Sequence, residues 1–457
     1  MKRTTTRSGR PRPRTNVLAI ALLVLSAVLL GIGFARATAA GRAEAGGGTE
    51  SEAGAPTGAR GDAESGVGSI TGTDGEHQSP AALMRRLTSI GGAPVPGGRS
   101  VEVALPPQYQ NQEPPSLSAE FATDFARALI SYDDVVAGGP PKDGIPAIDV
   151  PRHVTVADAE RWLEPAEPVI VVRAGEATHI YPLQILMWHE IANDTVGGVP
   201  LAVTYCPLCN TGIVFRRTFD DRELDFGVSG RLVYSNMIMY DRQTESWWIQ
   251  ATGRGIAGRY AGQQLALHPS LMLSWADAAD AYPNARVLSR DTGFRRDYGR
   301  NPYVGYDGAA LPFLYYGPDV IDASSEHAMT RVLSVYHGDG VAAVVFPELQ
   351  EQRVITRTID STPVVVFWEP GTASALDGPR LAEGRDVGTA NAFYPRIDGR
   401  ALDFAFRDGQ IRDRATGSSW TVAGRAVDGP FAGQSLEPAL AVHHFLFSWR
   451  AFHPDWE

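Results

Sequence analysis

Hydrophobic and polar positions fall into distinct regimes along the chain. Residues 17–35 run apolar-biased and without a charge; as a helix they would reach about 28 Å, enough to cross a hydrocarbon core. Over residues 36–80 aliphatic positions nearly vanish, and no aromatic residue occurs between Phe34 and Tyr109. Such a segment buries too little apolar surface to offset its ordering entropy, so a disordered tether is predicted. Beyond it, short β-branched and aromatic runs at 199–205, 212–219 and 231–240 are broken by Asp/Gly turns and predict strands. Helical spacing is confined to 181–193, 271–281 and 121–130. The fold class expected is α+β, β-rich.

An internal repeat organises the body. Asp221 to Phe226 (DRELDF) answers Gly399 to Phe404 (GRALDF), and Asp241-Arg242-Gln243-Thr244-Glu245-Ser246 answers Asp413-Arg414-Ala415-Thr416-Gly417-Ser418. Gly253-Arg254, Ala261-Gly262-Gln263 and Ser274-Trp275 return as Gly424-Arg425, Ala432-Gly433-Gln434 and Ser448-Trp449, at offsets of 171–178. More weakly, Pro200 to Val203 falls on Pro363 to Val366. The chain therefore reads as a basic tail and transmembrane or signal segment (1–36), a tether (37–80), an N-terminal extension (81–164), and two tandem copies of a strand-rich unit (165–320 and 330–457). Residues present in both copies read as scaffold. Cys206-Pro207 aligns instead with Glu369-Pro370, Cys209 has no sulfur counterpart, and His189-Glu190 falls where the second copy reads Arg353-Val354-Ile355. The second unit lacks the residues that could do chemistry.

Charge sets the location and excludes one class of partner. Lys2, Arg3, Arg7, Arg10, Arg12 and Arg14 face no acid in the first sixteen residues. A basic flank before an apolar run leaves the start in the cytoplasm and exports the remainder. An uncleaved anchor is favoured over cleavage near Ala39, because the run exceeds the usual ~7–15-residue signal core. The net charge of -11, with no charge run in the body, excludes a nucleic-acid partner. The membrane, a redox partner or an envelope polymer are the partners left.

Cys206 and Cys209 are the only cysteines in 457 residues. Spaced C-x-x-C, they can close a disulfide, hold a soft metal or supply a reactive thiolate. A staple is natural in an exported protein, but a four-residue ring restrains little unfolded-chain entropy, so a reactive pair or metal clip is favoured. On a helix, Leu183, Met187, Glu190 and Asp194 would share one face while His189 and Asn193 point elsewhere. His189 and Glu190 either pair structurally or border the cysteines, His189 as ligand or proton carrier and Glu190 as its support or a general base. Cys206, Cys209 and His189 would make a three-ligand copper or zinc site, with Met237, Met239, His179 or His268 able to complete it. For the two methionines a core role is the better expectation. No G-x-S-x-G, H-E-x-x-H or phosphate loop is present, and no carboxylate pair is singled out for glycoside cleavage. A second C-x-x-C is missing, which excludes a closed four-cysteine zinc site. A thioredoxin fold is not expected, because a strand rather than a long helix follows Cys209. The Tyr/Arg/Gly-rich stretch 290–306 suits either a ligand loop or a clasp between the units.

Five segments together resemble a bacterial family catalogued as domain-of-unknown-function family 3179: Gly138 to Pro146 (GGPPKDGIP), Trp188 to Asp194 (WHEIAND), Tyr205 to Thr211 (YCPLCNT), Met239 to Ser246 (MYDRQTES) and Tyr298 to Tyr303 (YGRNPY). The resemblance spans about residues 131–457 and names no reaction. Members are sometimes labelled as selenoprotein candidates, which implies redox or soft-metal chemistry at the cysteine positions. The expectation is an exported thiol oxidoreductase or metal-dependent redox enzyme acting through Cys206, Cys209, His189 and Glu190. The alternative is a non-enzymatic envelope-binding protein with a structural disulfide.

Overall fold

A computed structural model describes residues 104–115, 118–315 and 327–454. The basic tail, the apolar run, the tether and the first part of the 81–164 extension lie outside the described residues. Among the described residues no helix is long and apolar enough to cross a membrane.

Strands dominate and helices are few and short, as the runs of β-branched residues dictate. The first unit begins with β3 (Pro168–Ala174), β4 (Ala177–Pro182), α1 (Leu183–His189), β5 (Ile191–Val196), β6 (Val199–Cys206) and β7 (Thr211–Arg216). Two short strands from the extension, β1 (Val135–Ala137) and β2 (His153–Thr155), precede it. Then come β8 (Phe226–Val233), β9 (Asn236–Asp241), β10 (Trp247–Ile249), β11 (Arg254–Ala257), β12 (Ser270–Ser274), α2 (Trp275–Ala281) and β13 (Arg286–Leu288). The second unit runs β14 (Arg331–His337), β15 (Gly340–Val345), α3 (Phe346–Gln352), β16 (Val354–Ile359), β17 (Thr362–Glu369) and β18 (Thr389–Tyr394). It ends with β19 (Phe404–Arg407), β20 (Gln410–Asp413), β21 (Ser419–Trp420), β22 (Leu440–Phe445) and α4 (Leu446–Phe452). The series β3 to β7 and β14 to β18 have the same order and the same element lengths.

Four of the expected elements differ. Residues 181–193 are not one helix: α1 stops at His189, Glu190 turns left-handed (φ 59°), and the chain continues as β5. Of residues 271–281 only Trp275–Ala281 is helical, capped by the Ser274 hydroxyl accepting from Asp277 N–H. Residues 121–130 form turns rather than a helix. The run 231–240 is a hairpin whose Tyr234 and Ser235 both take positive φ.

The two units share their sheets and cores. A six-stranded sheet in the order β15-β14-β22-β7-β6-β5 crosses from one to the other, joined where His443 pairs with Gly212. On the reciprocal side Met272 of β12 is held by Asn391 and Thr389 of β18, its N–H donating to Asn391 Oδ1 at 3.0 Å. One buried cluster mixes Val169, Leu271 and Trp275 with Phe367, Phe393 and Trp420. At about 25 cal/mol per Å² of apolar area, such a shared core ties the units together more firmly than any surface contact.

The repeated Asp-Arg turn is a buried corner in both places. Asp241 accepts from Thr244 N–H (2.6 Å) and Trp248 Nε1–H (3.0 Å); Asp413 accepts from Thr416 N–H (2.7 Å) and Trp420 Nε1–H (3.5 Å). The GGPPKDGIP segment is also built in as frame. Asp143 accepts from Tyr240 and Arg242, and a Cβ on Gly230 (φ 74°) would lie 2.2 Å from Pro140 O.

Candidate functional site

The thiol turn forms where β6 ends. Cys206 closes the strand opposite Thr211, Pro207–Cys209 make one 3-10 turn, and Asn210 (φ 49°) reverses the chain into β7. Pro207 suits the first turn position because its missing N–H would have no partner there. Both cysteines are free and buried, at 1 % and 0 % exposure. Cys206 Sγ lies 3.9 Å from Ser235 O. Burial pushes the Cys206 thiol up, the neighbouring Cys209 adds to this, and the backbone N–H groups of Met237 and Cys209 work against it.

Glu190 is brought beside the sulfurs by the corner after α1. Its N–H donates to Leu186 O at 2.6 Å, and its carbonyl accepts Tyr205 N–H at 2.8 Å, one residue before Cys206. Burial raises the Glu190 carboxyl well above its ordinary value, and Cys206 raises it further. No hydrogen bond or ion pair reaches that carboxyl among the described residues, although the residue is only 7 % exposed. The small exposure that remains leaves the carboxyl oxygens in touch with solvent, while most of the side chain is buried.

His189 points elsewhere. Its Nδ1 donates to Pro146 O at 2.7 Å, its Nε2 accepts from the Tyr298 hydroxyl at 2.7 Å, and Phe294 flanks the ring. Burial lowers its pKa to about 4, with Arg296 adding to the fall and the Pro146 bond opposing it. Both ring nitrogens are thus engaged by groups other than the thiols. His268 Nε2 faces Arg173 O, and Met237 and Met239 lie within the apolar core. The fourth proposed completing ligand, His179, belongs to a different cluster with His153 and Asp194.

The aromatic stretch after β13 covers the thiols and clasps the units together. Tyr306 donates its hydroxyl to Leu208 O, between the cysteines, at 2.9 Å. Asn301 N–H and Gly305 N–H donate to Pro379 O and Asp377 O of the second unit. Nearby, Asp307 pairs with Arg331 and Arg385 across the seam. Tyr205, Tyr303 and Tyr306 wall the pocket of buried groups, and the tyrosines' own pKa values rise with burial. The tyrosine-rich composition was the only sequence signal for them. The arrangement brings two buried thiols and a largely buried carboxyl together under the tyrosines.

No curated protein and no solved structure matches the chain. The segments that converge here (GGPPKDGIP through Pro146, WHEIAND through His189 and Glu190, YCPLCNT, YGRNPY through Tyr298) fall within residues 142–456 or at their edge. Those residues match the family described as "Protein of unknown function (DUF3179)", and the chain belongs to it.

Proposed function

We propose that this protein is a thiol oxidoreductase in which Cys206 and Cys209 cycle between dithiol and disulfide. The observation that carries the reading is a largely buried carboxyl, with no hydrogen-bond or ion-pair partner among the described residues, beside two free, adjacent thiols. A carboxylate whose pKa is raised by burial is a stronger base, better matched to a thiol. Glu190 takes the Cys206 proton, and the Cys206 thiolate attacks a disulfide of a partner molecule. One partner sulfur leaves as thiolate and a mixed disulfide forms. Cys209, losing its proton, then attacks Cys206 sulfur and releases the second partner thiol. The pair is oxidised by two electrons, and the partner disulfide is reduced to two thiols. Because both sulfurs are buried, the Tyr303–Tyr306 cover must lift for this exchange.

The copper or zinc reading of the same sulfurs is less well supported. His189 has both nitrogens committed, and among the described residues the group of three His/Cys/Asp/Glu ligand atoms within 4.8 Å of one another contains neither cysteine. The two matching series of elements support descent from one duplicated unit, with the thiols confined to the first. We place the reaction outside the cytoplasm, with the chain exported and tethered through residues 17–35.

Equilibration of the full chain with glutathione buffers, followed by alkylation and mass measurement, tests the reaction. A Cys206–Cys209 disulfide that forms and is reduced reversibly is expected. Cys206→Ser abolishes it, and Glu190→Gln slows exchange ~10²-fold or more without moving its equilibrium. A pair that stays inert in both directions would overturn the redox reading. One equivalent of metal lost with Cys206→Ser would replace it by a metal site.

A further inference from the structure

A second cluster of ligand-bearing side chains lies away from the thiols, between two sheets. In β4, His179 and Tyr181 are two apart and face the same side. The register of β13 against β4 and β2 pairs Arg286 with His179 and Leu288 with His153, which sets His153 level with Tyr181. The two imidazoles come together with ring centroids 4.3 Å apart. Asp194 of β5, from the neighbouring sheet, closes the group. Its Oδ2 lies 2.9 Å from His153 Nε2, 3.1 Å from His179 Nδ1, and 2.5 Å from the Tyr181 hydroxyl.

We propose that His153, His179 and Asp194 bind a divalent first-row transition-metal ion of the zinc type. Three observations point to it. The ligand atoms of all three residues lie within 4.8 Å of one another. Around an ion bound at ~2.1 Å, tetrahedral ligand atoms stand roughly 3.4 Å apart, so the carboxylate-to-nitrogen gaps need to widen by only a few tenths of an ångström. Second, His153 Nε2 is buried and near the carboxylate yet out of line for a hydrogen bond, which leaves it without a hydrogen-bond partner. Third, the carboxylate is held in a fixed orientation. The His179 ring nitrogen and the Tyr181 hydroxyl both hydrogen-bond to its Oδ2. Thr195 N–H holds Oδ1 at 2.7 Å, and the Arg217 guanidinium donates to the Asp194 carbonyl at 3.2 Å. Arg217 is itself balanced by Glu223 and Asp225, so it does not repel a cation unopposed. Arg286 stands beside His153, donating to its carbonyl rather than its ring. Two imidazoles and one carboxylate form a nitrogen/oxygen donor set suited to zinc, iron or manganese rather than to Cu(I). The side chains are 8–14 % exposed, so a fourth position is open to water or to the Tyr181 oxygen.

The site is separate from the thiol turn. Asp194 lies three residues along β5 from Ile191, about 10 Å beyond the corner that carries Glu190. Titration of the metal-stripped full chain with Zn²⁺, read by calorimetry, tests the proposal, with Co²⁺ as an optical probe. One equivalent is expected to bind. The cobalt complex should show d–d bands without the sulfur-to-metal charge transfer that thiolate ligands add. Asp194→Asn, His153→Gln and His179→Gln should each weaken binding about 100-fold or more, exceeding the usual loss for an outer-shell partner. Cys206→Ser/Cys209→Ser should leave it unchanged. If one of the three ligand variants does not fold, the other two give the same reading. Absence of stoichiometric binding, binding that survives all folded ligand variants, or a thiolate band abolished with the cysteines would each overturn the proposal.

Discussion

Two corners of the molecule share one backbone and differ in what hangs on it. After α1, Glu190 takes a left-handed conformation and its carbonyl accepts Tyr205 N–H; after α3, Arg353 (φ 66°) does the same for Trp368 N–H at 2.9 Å. The equivalence pairs His189 with Gln352, Glu190 with Arg353 and Cys206 with Glu369. In the second unit the arginine lies 4.4 Å over the Trp368 ring and 5.5 Å over Phe406, and it lowers the Glu369 carboxyl that burial has raised. Its charge is satisfied. In the first unit the same position carries an acid with no counter-charge, facing sulfur. The frame therefore does not require an acid at this corner.

The largest expected effects come from breaking what the halves share. Asp241→Ala and Asp413→Ala should each cost about 3–4 kcal/mol in denaturant unfolding, since each strands a buried turn and an indole N–H. A loss at one and not the other would mean that the two frames are not equivalent. His189→Gln, which copies the exposed Gln352, separates the corners by pH. The imidazole is neutral in the folded protein down to about 4 but protonates near 6.5 when unfolded. Native stability is therefore present above pH 6.5 and is lost as pH falls toward 4, by roughly 3 kcal/mol for this group. The variant should lose that slope in a pH series of melts; an unchanged slope would assign it to other histidines.

The smaller effects have opposite signs. A raised carboxyl makes the folded protein less stable as pH climbs above 4.5, where the unfolded chain ionises first. Glu190→Gln should therefore gain on the parent between pH 4 and 7 by on the order of 1–3 kcal/mol. Arg353→Gln should lose about 1 kcal/mol by giving up its ring contacts, with little pH dependence. If both substitutions destabilise alike at pH 7, Glu190 is as structurally necessary as Arg353 and the contrast fails.

The sequence carried the strand-rich class, the thiol pair and the recurring turns, because those are written in local spacing. It did not carry the end of α1. Glu190 has no feature marking a left-handed residue, a role glycine usually signals, so the apolar residues of β5 blended into the helical pattern. That error moved Asp194 onto a helix face, when it faces His179 across two sheets. Nor could spacing connect His153, His179 and Asp194, which come from three separate strands and meet only through sheet register. His189 was legible as buried but not as satisfied, since its partners Pro146 and Tyr298 are distant in the chain.

The strand that joins the two halves, β22, is made well after both strands that it joins. Until residues 440–445 leave the ribosome, β7 and β14 each present an open edge that no other segment fills. A nascent chain must therefore keep two unsatisfied edges apart from the completion of β14 until β22 emerges, and truncation before residue 440 should yield aggregates rather than a shortened folded form.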